Sequence, residues 1–358
     1  MITVLLTDGA FTGLIRTLRE AYHENIRIVG LAEDPDTPHQ VILDAFYIVS
    51  SHEAPDYIVR LIQIIEKEHV DVIFPIVSEG LEGLMKNEAL IFKKTGARIL
   101  SSPLSSLQIA NDKGRLYAFL QESNDPVLSS LTPVFVLADT KSSLIEAIQV
   151  IRNAGRTPCI KRLRGEDAAG FWVIDNSADY AEHLFYQAPQ RILSENMLRE
   201  MLTGIRDEDT IPPYMACEFL PGEEWDCDVL CLEGKIISVT TRVNISMTGG
   251  LTSVLEVKEN AYLAECCGHI VSALHLSYVV CISFRADAAG RFFLLEINPR
   301  MMGNIYVSTL AGNNYVKMAV DLLFGRAVQA VPPRTGIRTA LYYDQLQISP
   351  NQKLQKAE

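Results

Sequence analysis

Short apolar runs alternate with amphipathic stretches over the first hundred residues. Ile2 to Leu6, Ile26 to Leu31 and Val70 to Ile76 read as strands, and Leu14 to Tyr22, Tyr57 to Lys67 and Gly80 to Thr95 as helices with apolar positions at helical spacing. That alternation predicts a parallel sheet covered on both faces. The pattern changes after Pro103: a helix from Ser105 runs through Asn111-Asp112-Lys113 to Leu120, and a Ser/Asn/Asp/Pro-rich stretch from Ser123 leads to a strand at Val134 to Leu137. A boundary near residue 110 is expected there.

Further on, a helix from Ser143 to Ala154 precedes a strand ending in Lys161, and the small-residue loop with Gly165 and Gly170 predicts a hairpin. Such a hairpin folds over polyphosphate in some proteins; in others its glycines only permit the turns. Polar helical segments follow over 178–204. Strands are predicted at Met215 to Leu220, from Trp225, at Lys235 to Arg242 and at Tyr278 to Arg285, with a helix between the last two at Ala261 to Leu274, giving an antiparallel sheet. The last strand-like run is Ile337 to Tyr343, before a polar tail.

Composition narrows the function classes. With 358 residues, of which 48% are hydrophobic, the chain has core material for two or three packed units, and a formal net charge of -12 opposes broad attraction to nucleic acid or anionic lipid. Small molecules or proteins are the expected partners. No run of 18 apolar residues and no leader-like N-terminus is found, so a cytoplasmic protein is expected. The seven cysteines lack paired Cys-x-x-Cys spacing and read as reduced core thiols; Cys227 and Cys231 share a strand face, which favours packing over zinc.

The chemistry concentrates in Leu294-Leu295-Glu296-Ile297-Asn298-Pro299-Arg300. Glu296 and Asn298, two apart on a strand, face the same way, and a carboxylate beside an amide oxygen suits a hard cation such as Mg²⁺. Arg300 suits a phosphoryl oxygen. The plain alternative is a strand ending in a solvated Glu, an Asn-Pro turn and a surface Arg. Glu218, Leu220 and Glu224 have the types needed for a base slot and a ribose acceptor. The Gly9 to Gly13 loop, with Glu33 and Asp34 after the next strand, lacks the full G-x-G-x-x-G, so a surface lined by substrate or partner is favoured over a dinucleotide site.

Taken in order, the Rossmann-like start, Asn111-Asp112-Lys113, Lys161 with its loop, Glu218-Phe219-Leu220-Pro221-Gly222-Glu223-Glu224 and Glu296-Ile297-Asn298-Pro299-Arg300 resemble the ATP-grasp superfamily. The nearest likeness is to carbamoyl-phosphate-synthase-like carboxylate-amine ligases. The resemblance implies a mixed α/β and α+β chain: a Rossmann-like domain over 1–110, a small ATP-grasp lobe over 111–215, a large lobe with the metal site over 216–330, and a C-terminal strand and tail over 331–358. It implies that Lys113 and Lys161 contact ATP phosphates, Glu218 and the Leu220 backbone read adenine, and Glu224 holds the ribose. Glu296 and Asn298 would bind Mg²⁺, or Mn²⁺ in its place, and Arg300 would stabilise the migrating phosphoryl group.

The implied activity is ATP-dependent ligation of a small-molecule carboxylate to an amine, with amino acids among the candidates and a homodimer left open. Arg242 is expected either to line the acceptor pocket or to be an ordinary surface arginine. Glu79, after the Val70 to Ile76 strand, is expected either to hold a substrate amine or to serve as a helix N-terminal acid. Two departures stand out. Ser283 occupies the position where the family usually has a further acidic or amide metal ligand, so either one metal is held less tightly, Asp228 or Asp287 substitutes, or activity is reduced; and Glu166 and Asp167 place negative charge in the small-residue loop where phosphate is expected. The alternative is a nucleotide-binding regulatory protein with weak or no turnover; a third reading is a dehydrogenase built on the first domain.

Overall fold

The computed structural model describes all residues except 8, 10, 36, 166–167, 182–190, 249–250, 343–354 and 357–358, so the expectation for Glu166 and Asp167 lies outside the described residues. Three sheets carry the chain. The first is parallel: β1 (Ile2–Thr7), β2 (Ile26–Ala32), β3 (Ala45–Ile48), β4 (Val72–Pro75) and β5 (Arg98–Ile99) lie in the order β3-β2-β1-β4-β5, with Gln355–Lys356 paired outside β3. Residues Val4, Leu5 and Leu6 are fully buried, as a central strand covered on both faces requires.

The second sheet is the small lobe: β6 (Phe135–Thr140), β7 (Pro158–Arg162), β8 (Trp172–Ile174), β9 (Ile192–Leu193) and β10 (Thr210–Glu218), in the order β6-β10-β7-β8-β9. The helix Lys141–Asn153 covers one face, started by a Thr140 capping box. β10 crosses the expected boundary at residue 215 and ends at Glu218, so the Phe219-Leu220-Pro221-Gly222 link is the passage between lobes. Gly222 is needed there, because a Cβ would lie 2.8 Å from the Ala286 carbonyl oxygen.

The third sheet is the large lobe: β11 (Glu224–Leu232), β12 (Lys235–Thr248), β13 (Leu251–Val257), β14 (Tyr278–Ala286), β15 (Phe292–Asn298) and β16 (Arg338–Ala340), in the order β15-β14-β11-β12-β13-β16. Every pairing in it is antiparallel. One face buries Cys227, Val229, Ile282 and Phe284 against the helix Ala261–Ala273. Strand alternation leaves the opposite face to Glu224, Asp226, Asp228, Arg242, Ser283, Glu296 and Asn298. The helix Tyr315–Leu323 packs Tyr315, Val316 and Ala319 with Val4, Leu6 and Leu14, locking the large lobe to the first domain.

Several local expectations are refined. The helix expected from Gly80 to Thr95 is two helices, Leu81–Lys86 and Glu88–Thr95, divided at Asn87. The polar stretch after Ser123 contains a helix, Pro126–Ser130, because Asp125 accepts from the Val127 N–H and Pro126 has the backbone angle of a first turn. Gly13 stands 2.7 Å, by its would-be Cβ, from the Gly303 carbonyl, so the first strand-to-helix turn faces the segment after β15. The seven cysteines are free and buried, as core thiols. Among the described residues no helix is long and apolar enough to cross a membrane.

Candidate active site

The site lies where the helix Lys113–Gln121 meets the polar face of the large-lobe sheet. Asp112 caps that helix, its Oδ1 accepting from the Gly114 and Arg115 N–H groups at 3.1 and 3.0 Å. The cap fixes where Lys113 begins. Its Nζ pairs with Glu296 Oε2 at 2.9 Å and donates to the Gly165 carbonyl at 3.2 Å, tying helix, small-residue loop and β15 together. Asp112 also holds Arg164 Nε at 3.2 Å, and Arg164 Nη1 reaches Glu82 of the first domain at 2.7 Å.

Lys161 approaches from β7. Its ammonium donates to the Tyr117 hydroxyl at 3.0 Å and lies 4.9 Å from the Tyr117 ring centroid. That hydroxyl donates in turn toward the Leu294 carbonyl at 2.7 Å, with Leu295 at 3.1 Å. Tyr117 thus carries the small-lobe lysine's position to β15. Burial raises its phenol to about 12, against the lowering effect of Lys161, so it stays protonated at neutral pH. Sequence reading did not single it out; the available signal was its spacing, one helical turn after Lys113 on the same face.

Glu296 and Asn298 share a face of β15, as their spacing predicts. Asn298 Nδ2 donates to Glu296 Oε1 at 3.1 Å, which turns the Asn298 Oδ1 away from that pair. Burial alone would raise the Glu296 carboxyl, but the Lys113 charge, its hydrogen bond and the Asn298 bond outweigh it and bring it down to about 2. An ionised carboxylate beside an amide oxygen is a donor set that fits a hard divalent cation. Arg300 follows, buried, with Nη1 donating to the Met301 carbonyl at 3.2 Å.

The adenine and ribose candidates cluster at the link between lobes. Glu218 is buried at the end of β10, its carboxylate paired with Arg156 at 3.2 Å. Leu220 is buried too, and among the described residues neither its N–H nor its carbonyl is used in a backbone hydrogen bond. Glu224 opens β11 with Arg285 Nη1 at 3.4 Å and Asn244 Nδ2 at 3.2 Å; burial, then Asp226, raise its carboxyl above the ordinary range. Arg285, also missed from sequence, lies 5.6 Å from the Phe219 ring centroid and donates to the Gly222 carbonyl at 3.3 Å. It braces the link on which Leu220 sits.

Arg242 does not line an open pocket. It is fully buried, with Nε donating to Asp228 Oδ2 at 3.2 Å, Nη1 to Asp226 Oδ2 at 2.7 Å and Asn244 Oδ1 at 3.2 Å, and Nη2 to Asn304 Oδ1 at 3.1 Å and Asp228 Oδ1 at 3.5 Å. Every guanidinium N–H is engaged, so none is left for a substrate in this conformation. The sequence could not show this, because both acids sit on a neighbouring strand. Glu79 lines a small recess with Thr7, His52 and Gly80 at the carboxyl ends of β1 and β4.

Known proteins resemble the chain over most of its length. Residues 210–344 match the family model described as "ATP-grasp in the biosynthetic pathway with Ter operon", and residues 4–100 match "PylC-like, N-terminal domain". The chain is 24% identical over 326 residues to the carbamoyl phosphate synthase large chain of Thermoplasma acidophilum, covering 88% of this chain and 28% of that one. The corresponding protein of a Thermoanaerobacter species is 22% identical over 94% of this chain and 30% of its own length. The chain therefore spans under a third of these relatives.

Among solved structures, an N5-carboxyaminoimidazole ribonucleotide synthetase in complex with ADP superposes with a TM-score of 0.68 at 14% identity, covering 94% of this chain and 80% of that one. The biotin carboxylase domain of the Hydrogenobacter thermophilus 2-oxoglutarate carboxylase, holding MgADP and bicarbonate, gives 0.65 at 14% identity over 94% and 73%. An L-amino acid ligase from Bacillus licheniformis gives 0.62 at 13% identity over 90% and 74%.

Proposed function

The chain belongs to the ATP-grasp superfamily, and from that premise we propose that it is an ATP-dependent ligase joining a small-molecule carboxylate to an amine. The observation that carries this reading is the convergence of Lys113 and Lys161, through Tyr117, on the strand bearing Glu296 and Asn298. Phosphoryl transfer between two anions depends on positioning and charge neutralisation rather than on a covalent nucleophile, and this cleft offers those means.

In the proposed reaction an oxygen of the substrate carboxylate attacks the γ-phosphorus of ATP, and the bond to the β-γ bridging oxygen breaks to release ADP. An amine then attacks the acyl carbon, phosphate leaves with the electron pair of the C–O bond, and the nitrogen loses a proton to give an amide. Lys113 and Lys161 neutralise and orient the phosphates. Leu220 offers an unused N–H and carbonyl to the base, Glu224 accepts from the ribose, and Arg300 meets the charge that develops on the transferring group. Bound Mg²⁺ supplies charge neutralisation at the phosphates, and Glu296 and Asn298 are the residues that would hold it. Arg242 acts as a positioning residue, fixing Asp226, Asp228 and Asn304 around the site. The substrates are small, amino acids foremost, and a cytoplasmic location accords with the use of ATP.

The test is ADP formation from MgATP with pooled carboxylates and amines, followed by mass spectrometry for a ligated product. A product whose mass equals acid plus amine minus water is the expected result. Nucleotide binding with no ADP release across the pool would overturn the ligase reading in favour of a non-catalytic nucleotide binder.

A further inference from the structure

Resemblance to the superfamily leads one to expect an acidic or amide metal ligand where this chain has Ser283. In the sheet, Ser283 pairs directly with Glu296 on β15 and with Asp226 on β11, and Asp226 pairs with Arg242 on β12. Arg242, Asp226, Ser283 and Glu296 therefore form one row across four neighbouring strands. Residues opposite one another in an antiparallel sheet point to the same face, so all four address one surface.

The hydrogen bonds within the row are directional. Ser283 Oγ donates to Asp226 Oδ1 at 2.5 Å, while Asp226 Oδ2 accepts from Arg242 Nη1 at 2.7 Å and Asn244 Nδ2 at 3.0 Å. With its single proton committed to a carboxylate, the serine oxygen has only lone pairs to offer elsewhere. A carboxylate behind a neutral ligand orients that ligand and increases its basicity, the role outer groups play around bound metals. The other two acids are occupied differently. Asp228 lies in the next row, opposite Cys281, and holds Arg242 and Ser308. Asp287 sits in the turn after β14, where it accepts from the Ala289 and Arg291 N–H groups and pairs with the Arg291 side chain.

We propose that the carboxylate missing at position 283 is supplied one strand across by Asp226, which orients the Ser283 hydroxyl as an oxygen ligand beside Glu296 and contributes the negative charge that a serine lacks. The inference rests on Glu296 and Asn298 being the cation ligands. It makes Asp226 a positioning residue and gives this chain a metal site whose charge is divided between two strands.

The experiment is a Mn²⁺ titration followed by electron paramagnetic resonance in the presence of saturating ADP, on the intact protein and on Ser283→Ala, Asp226→Asn, Glu296→Gln and the double variant Asp226→Ser with Ser283→Glu. Ser283→Ala keeps the Asp226–Arg242 pair and should weaken Mn²⁺ binding about tenfold or more. Asp226→Asn should do the same, with no added loss when both changes are combined. The double variant, which moves the carboxylate back to β14, should recover affinity. Unchanged Mn²⁺ binding in Ser283→Ala, with a loss in Glu296→Gln, overturns this proposal alone. Unchanged binding in Glu296→Gln as well overturns the underlying metal-site reading. If Asp226→Asn fails to fold by circular dichroism, the Ser283→Ala and double-variant arms decide.

Discussion

At the scale of single residues, Glu296 carries the most chemistry for the least surrounding mass. Its carboxyl lies at about 2, below the ordinary value of 4.5, because Lys113 and Asn298 outweigh burial. A lowered carboxylate pKa stabilises the fold above the unfolded value, and that contribution is lost as pH falls from about 4.5 toward 2. Lys113→Met should therefore flatten the dependence of the melting temperature on pH in that window, compared with the parent by calorimetry. Glu296→Ala should abolish ADP formation in a protein that still folds, since its side chain lies at the edge of a cleft; full turnover by that variant would sink the metal assignment. Arg300→Lys should lower turnover at saturating ATP with little change in ATP affinity, because a planar fork bridges two phosphoryl oxygens and an ammonium does not.

Among elements, the antiparallel sheet of the large lobe does the organising. Its rows place side chains from β11, β12, β14 and β15 side by side, and the fully buried Arg242 holds two of those strands and the Asn304 segment together. Removing one partner of a buried ion pair leaves uncompensated charge, so Arg242→Met should cost about 3–5 kcal/mol in denaturant unfolding. A loss within experimental error would mean that Asp226 and Asp228 find other partners. The role of Arg242 was hidden in the sequence because its two carboxylates are 16 and 14 residues away and meet it only by strand register. Glu296 and Asn298 were legible because both lie on one strand, where a spacing of two fixes a common face.

For the whole molecule, the cleft joins segments distant in the chain: Lys113 to Glu296, Arg164 to Glu82, and the Tyr315–Leu323 helix to the first parallel sheet. A ligand that binds only this assembled state stabilises it by mass action, about 2.7 kcal/mol at a hundred times its Kd. ADP with Mg²⁺ should therefore raise the thermal midpoint by a few degrees, and chelating the metal with EDTA should remove most of that rise. An equal rise without metal would argue that the nucleotide is held by the lysines alone.

The residue pattern alone pointed to the strand–helix alternation of the first parallel sheet, the antiparallel strands of the large lobe and the strand carrying Glu296 and Asn298. Each of these follows from periodicities of two or 3.6 residues, which are local. Three relations emerge only once the chain is folded: Arg242 is a buried clamp and not a pocket wall, Tyr117 links Lys161 to β15, and Ser283 faces Asp226 rather than Asp228 or Asp287. Those relations depend on strand register and on which helix end meets which strand, and a slip of one residue would turn each side chain to the other face. No local spacing encodes that choice; it is made by the packing of all three sheets at once.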